Sequence, residues 1–98
     1  MRTSLRGGSS RSMKSAANPR FWKAYAALPP EVQRLARKNF RLWQGNPKHR
    51  SLHFKKVGEV WSARVGDDFR ALAQLRGDTF YRFWIGPHDV YDRIIRRP

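Results

Sequence analysis

The chain of 98 residues has no cysteine, only seven acidic residues, and no apolar run near the roughly 20 residues needed to span a membrane. Without cysteine there is no disulfide framework, no thiol nucleophile and no thiolate zinc site. That is compatible with a cytoplasmic protein, and we expect no membrane partner. Seven acids leave few oxygen ligands for hard cations, which argues against a two-metal nuclease. Paired carboxylates, a Ser-His-Asp arrangement and a glycine-rich phosphate loop are all missing, so no metal site and no cofactor is expected. The opening segment carries basic residues without an apolar stretch and does not read as a secretory signal.

Basic charge dominates what is there. Lys and Arg number 21 and the formal net charge is +14, interleaved with four Trp, three Tyr and six Phe. Self-repulsion at this level works against a compact state unless an anionic partner relieves it. Nucleic acid fits that partner, because cations pair with phosphates while aromatic faces stack on bases.

Residues 1–12 are rich in Gly, Ser and Arg with almost nothing to bury, and read as a disordered basic arm; Met13 reads as an alternative start. Residues 13–98 suffice for one domain. Asn18 and Pro19 read as N-cap and first helical residue, and Phe21, Trp22, Tyr25 and Leu28 give the helix an apolar stripe. Pro29 and Pro30 end that helix and open a second. Its buried face is Val32, Leu35, Ala36, Asn39, Phe40 and Trp43, and Gly45, Asn46 and Pro47 stop it. From Leu52 the period changes to two. Runs at 52–57, 59–65, 69–76 and 79–85 are separated by Gly58, by Gly66, Asp67 and Asp68, and by Gly77 and Asp78. The expected fold is α+β: an N-terminal helical hairpin on a three- to four-stranded antiparallel sheet, with residues 89–97 forming a short helix or fraying.

Register singles out two arginines. If residues 66–68 form a three-residue loop, Arg64 lies opposite Arg70, and like charges so placed make sense around a bound anion. The alternative is that Asp67 and Asp68 screen them, or that a shorter loop staggers them. Alternation sends Lys55 and Lys56 to opposite faces, so at most one joins the arginines. His88, at the exit of the last strand, can take up or give a proton near neutral pH, and Tyr91 follows three residues on. His49 and His53 flank Arg50 with no ligand partners at metal spacing, and read as surface or phosphate-contact residues.

Four stretches together carry a resemblance. Phe21 and Trp22 lead to Leu28, Pro29, Pro30, Glu31, Val32 and Gln33. Asn46 and Pro47 lead to the run from Ser51 to Lys55. The third stretch runs from Trp61 to Leu72 through Arg64, Gly66, Asp67 and Arg70. The last is Phe83 to His88, with Tyr91 and Asp92 beyond it. In order and spacing they resemble the RelE/ParE superfamily of bacterial toxins over about residues 13–96. The resemblance implies a helical hairpin followed by an antiparallel sheet, and a toxin neutralised by a cognate antitoxin. RelE-like members cut mRNA on the ribosome without metal, the ribose 2′-hydroxyl attacking the adjacent phosphate; ParE-like members inhibit DNA gyrase. A third reading is an inactive antitoxin-binding module. By position, the resemblance implies Arg64 and Arg70 as phosphate clamps, His88 as proton donor and Tyr91 as a stacking or positioning residue. Lys55, Lys56 and His53 are the candidates for substrate binding. In some members a His–Tyr pair is adjacent at the chain end, whereas His88 and Tyr91 are three apart. Glu59 is the one candidate carboxylate base.

Overall fold

The computed structural model describes residues 14–96; the expected arm at 1–12, Met13 and the last two residues lie outside that range. In order come β1 (Lys14–Ala17), α1 (Pro19–Ala26), α2 (Pro30–Gly45), a 3₁₀ turn (Arg50–Leu52), β2 (Lys55–Val57), β3 (Val60–Val65), β4 (Phe69–Arg76), β5 (Thr79–Pro87) and α3 (His88–Ile95).

The helices form where local chemistry allows. Asn18 Oδ1 accepts from the Phe21 amide at 2.9 Å, and Pro19 supplies a preset φ at the first helical position. Pro30 does the same for α2, with Glu31 in its first turn. The three-residue break from Ala27 to Pro29 folds the helices against each other, and the Gln33 side chain ties them by donating to the Tyr25 carbonyl at 3.0 Å.

The sheet is larger than the expected three to four strands. Five strands lie in the order β1-β5-β4-β3-β2. The fifth, β1, pairs with β5 in parallel, Lys14 opposite Thr79 and Ala17 opposite Arg82, which makes the sheet mixed. Its four residues carry too short a pattern for a strand to be read. The other pairings are antiparallel. Gly66 sits at φ 66°, a left-handed backbone that favours glycine in the β3–β4 loop, and a Cβ there would also push aside the end of the Leu35 side chain of α2, 2.7 Å away.

One face of the sheet packs under the helices. Phe21, Leu28, Ala36, Val65 and Ile85 form one buried cluster, and Trp43, Leu52, Ala73 and Phe80 another. Between β4 and β5 the register slips: Leu72 opposes Trp84 but Ala73 opposes Arg82, leaving Phe83 as the extra residue of a bulge. The slip puts Arg82 and Ile85 on the same, helix-facing side. On the far side, Ser62 and Leu72 are sealed, and α3 packs on β4 and β5 with Tyr91 buried. The segment expected to be helical or frayed is therefore a docked helix. Among the described residues no helix is long and apolar enough to cross a membrane.

Candidate phosphate-binding face

Three sequence-adjacent amides turn at the β3–β4 loop, and that turn gathers the site. Val65 opposes Phe69 and Arg64 opposes Arg70, the register of a three-residue loop. The two guanidiniums do not meet unscreened. Arg64 Nη2 donates to Asp67 Oδ1 at 2.6 Å and its Nε to the Gly66 carbonyl at 3.0 Å. Asn39 of α2 donates to the Arg64 carbonyl at 3.3 Å and fixes the strand beneath the helix. Asp67 thus screens Arg64, while Arg70 has no carboxylate partner among the described residues.

Arg70 lies with its guanidinium carbon 5.3 Å from the centre of the Tyr91 ring. Its Nη1 is buried without a hydrogen-bond acceptor. A buried cationic donor with an open valence is costly, and an arriving anion would relieve it.

His53 sits at the C-cap of the 3₁₀ turn in left-handed conformation (φ 43°). That kink brings its Nε2 within 3.4 Å of Arg64 Nη1. His88 begins α3, its amide donating to the Asp68 carbonyl at 2.7 Å, so the same loop holds both ends of the site. His88 Nδ1 lies 3.4 Å from Asp92 Oδ2 one helical turn on, and its ring centroid is 5.5 Å from that of Tyr91.

Lys55 opposes Ser62, and Lys56 opposes Trp61. By alternation Lys55 shares the face of Arg64 and Lys56 takes the helix-facing side. Tyr91 is 5% exposed, so it braces Arg70 from beneath and presents little ring surface. Glu59 lies in the β2–β3 turn, just before β3 and at the far end of that strand from Arg64, five residues and about 16 Å away along an extended strand.

Structures of similar shape share this arrangement of elements. The RelBE2 toxin–antitoxin complex from Mycobacterium tuberculosis matches at TM-score 0.63 and 14% identity, over 78% of this chain and 98% of that one. The RelB–RelE antitoxin–toxin complex from Methanococcus jannaschii matches at 0.63 and 18%, over 79% and 95%. This chain has the RelE fold. A mutant of the E. coli toxin RelE in its free state matches at 0.62 and 11%, over 83% and 88%. No family model matches the sequence, and neither does any curated protein.

On this RelE fold the basic face combines Arg64, Arg70, His53, Lys55 and His88 at one end of the sheet, with Tyr91 beneath. Asp67, one of the two acids expected to screen the arginines, pairs with Arg64. Asp92, which faces His88, was not a sequence candidate; the i,i+4 spacing of His88 and Asp92 was the available signal. Arg82, on the opposite side of the sheet, was missed as well.

Proposed function

We propose that the chain is the toxin of a toxin–antitoxin pair and acts as a metal-independent, ribosome-dependent mRNA endonuclease, held in check by a cognate antitoxin. The observation that carries this reading is Arg70, half-buried with its Nη1 sealed and without an acceptor, set opposite Arg64 and sharing the Tyr91 ring with a carboxylate-backed His88 on a RelE fold.

In this chemistry the 2′-hydroxyl gives up its proton to water and its oxygen bonds to phosphorus as the bond from phosphorus to the 5′-oxygen breaks, giving a 2′,3′-cyclic phosphate and a free 5′-hydroxyl. Arg64 and Arg70 stabilise the charge that builds on the phosphate oxygens, and Lys55 adds a cation on the same face. His88, in its protonated form, gives a proton to the departing 5′-oxygen, while Asp92 holds the imidazolium in orientation. His53, against Arg64, lines the approach to the phosphate.

The discriminating experiment adds the purified, chelator-stripped chain to translating ribosomes and, separately, to DNA gyrase. The expected outcome is cleaved mRNA with cyclic or 3′-phosphate ends and undisturbed supercoiling. Inhibited supercoiling with intact mRNA would replace this reading by the gyrase-directed one.

A further inference from the structure

A cation stands on the wrong side of this sheet for the site just described. Arg82 occupies the helix-facing side of β5, between Phe80 and Ile85 of the two buried clusters. Its guanidinium carbon lies 4.1 Å from the Phe40 ring centre, 4.8 Å from that of Phe21 and 5.7 Å from that of Trp22. The one hydrogen bond its side chain makes among the described residues runs from Nε to the neutral Ser15 Oγ at 3.0 Å. No carboxylate pairs with it there. Burial disfavours its charged form and lowers its pKa, yet an arginine keeps its proton in proteins. The result is a fixed positive charge in an aromatic cage, with neither terminal NH₂ group meeting an acceptor among the described residues.

The cage opens onto a cavity of about 330 Å³ between the helical hairpin and the sheet. Its walls are apolar and aromatic, and Arg37 and Arg41, both exposed on α2, contribute to its lining with the half-exposed Trp22. Trp43 also lines it, and the Trp43 indole N–H is buried without an acceptor. An apolar hollow with one unpaired cation and further cations around it selects for one ligand class, an apolar body ending in an anion. Size narrows it further. An enclosed cavity of about 150 Å³ holds benzene; this one has about twice that volume and is open to solvent, so it has room for at least an eight-carbon chain with its headgroup.

We infer that the helix–sheet cavity is a binding site for a small amphiphilic carboxylate, its apolar body among the aromatic walls and its carboxylate on the Arg82 guanidinium. The inference is independent of the toxin reading, and its test involves neither ribosomes nor gyrase.

Octanoate, octanol and octylamine share a tail and differ in head. Each is titrated into the full chain at physiological ionic strength, with binding read by calorimetry and by emission of Trp22, Trp43 and Trp61, which line the cavity. Octanoate is expected to bind saturably at one site, at least tenfold tighter than octanol, with octylamine weaker still. Arg82→Met keeps the volume and removes the charge, so it should abolish the preference for octanoate while octanol still binds. Because Arg82→Met removes a single charge from a total of +14, a general attraction of anions would survive it. Equal binding of octanoate and octanol, no saturable binding, or a preference that persists in a folded Arg82→Met variant would each overturn the inference. Should Arg82→Met fail to fold, Arg82→Lys decides: a point charge without the planar fork should lose most of the preference, and full retention would count against the cage.

Discussion

Arg64 and Arg70 face each other across two strands, yet their surroundings differ and so should the consequences of removing them. Arg64 spends its donors on Asp67 and the Gly66 carbonyl. Asp67 is 88% exposed, so the pair is screened by water and contributes at most about 1 kcal/mol. Arg70 keeps a buried donor unsatisfied, and its deletion removes that penalty together with repulsion from Arg64, at the loss of its contact with the Tyr91 ring. Arg70→Ala should therefore melt at or above the parent temperature, and Arg64→Ala slightly below it. Each should lower mRNA cleavage by about 10²-fold or more, the usual loss when one preorganised donor to a developing charge is removed. Calorimetric melting with a cleavage assay on the same preparations checks both. An Arg70→Ala protein that melts well below the parent would make Arg70 a structural prop of α3.

Strand β1 is the element that sequence patterning did not disclose, and its anchors are polar. Lys14 Nζ donates to Asp78 Oδ2 at 2.7 Å, across from the β4–β5 turn. The hydrogen bond from Lys14, with a second from Thr79, holds the Asp78 carboxyl below its ordinary pKa, and Lys14 is raised in return. For a carboxyl so lowered, the folded form gains from ionisation. That gain is complete above the ordinary carboxylate pKa and lost as pH falls through the lowered one. Amide protection factors for residues 15–17 in the parent and in Asp78→Asn should thus differ at pH 7 and converge as the pH falls below the ordinary carboxylate range, with β1 fraying and the rest of the sheet intact. Because both partners are fully exposed, the effect should be small and should shrink with added salt. A difference unchanged at low pH would show that the carboxylate is not what holds β1.

For the molecule as a whole, +14 on a chain this size is self-repulsion waiting to be screened. Among the described residues the ion pairs are Lys14–Asp78, Arg64–Asp67 and His88–Asp92, which leave most of the basic side chains unpaired. Raising sodium chloride from about 0.05 to 0.5 M shortens the Debye length from over 10 Å to about 4–5 Å, and the melting temperature should rise across that range. A flat or falling curve would mean that the charges are already compensated within the fold.

By itself the sequence determined the helical hairpin, because Asn18, Pro19 and Pro30 act on their own neighbours and the apolar stripes repeat at helical spacing. It narrowed the register of Arg64 and Arg70 to two loop lengths, and the folded sheet chose the three-residue loop that sets them opposite each other. Local rules could not place β1, whose partner strand lies more than sixty residues away and whose four residues bury too little to show a period. Nor could they place Asp92 against His88, which follows only once residues 88–95 are helical, or bury Tyr91 beneath Arg70, which needs α3 docked on the sheet. Arg82 is the clearest case. Strict alternation puts it on the side of Trp84, and the bulge at Phe83 shifts it to the side of Ile85, into the aromatic layer beneath the helices. A bulge is a compromise between two strands and what packs on them, and only the assembled sheet and helices settle where the extra residue goes.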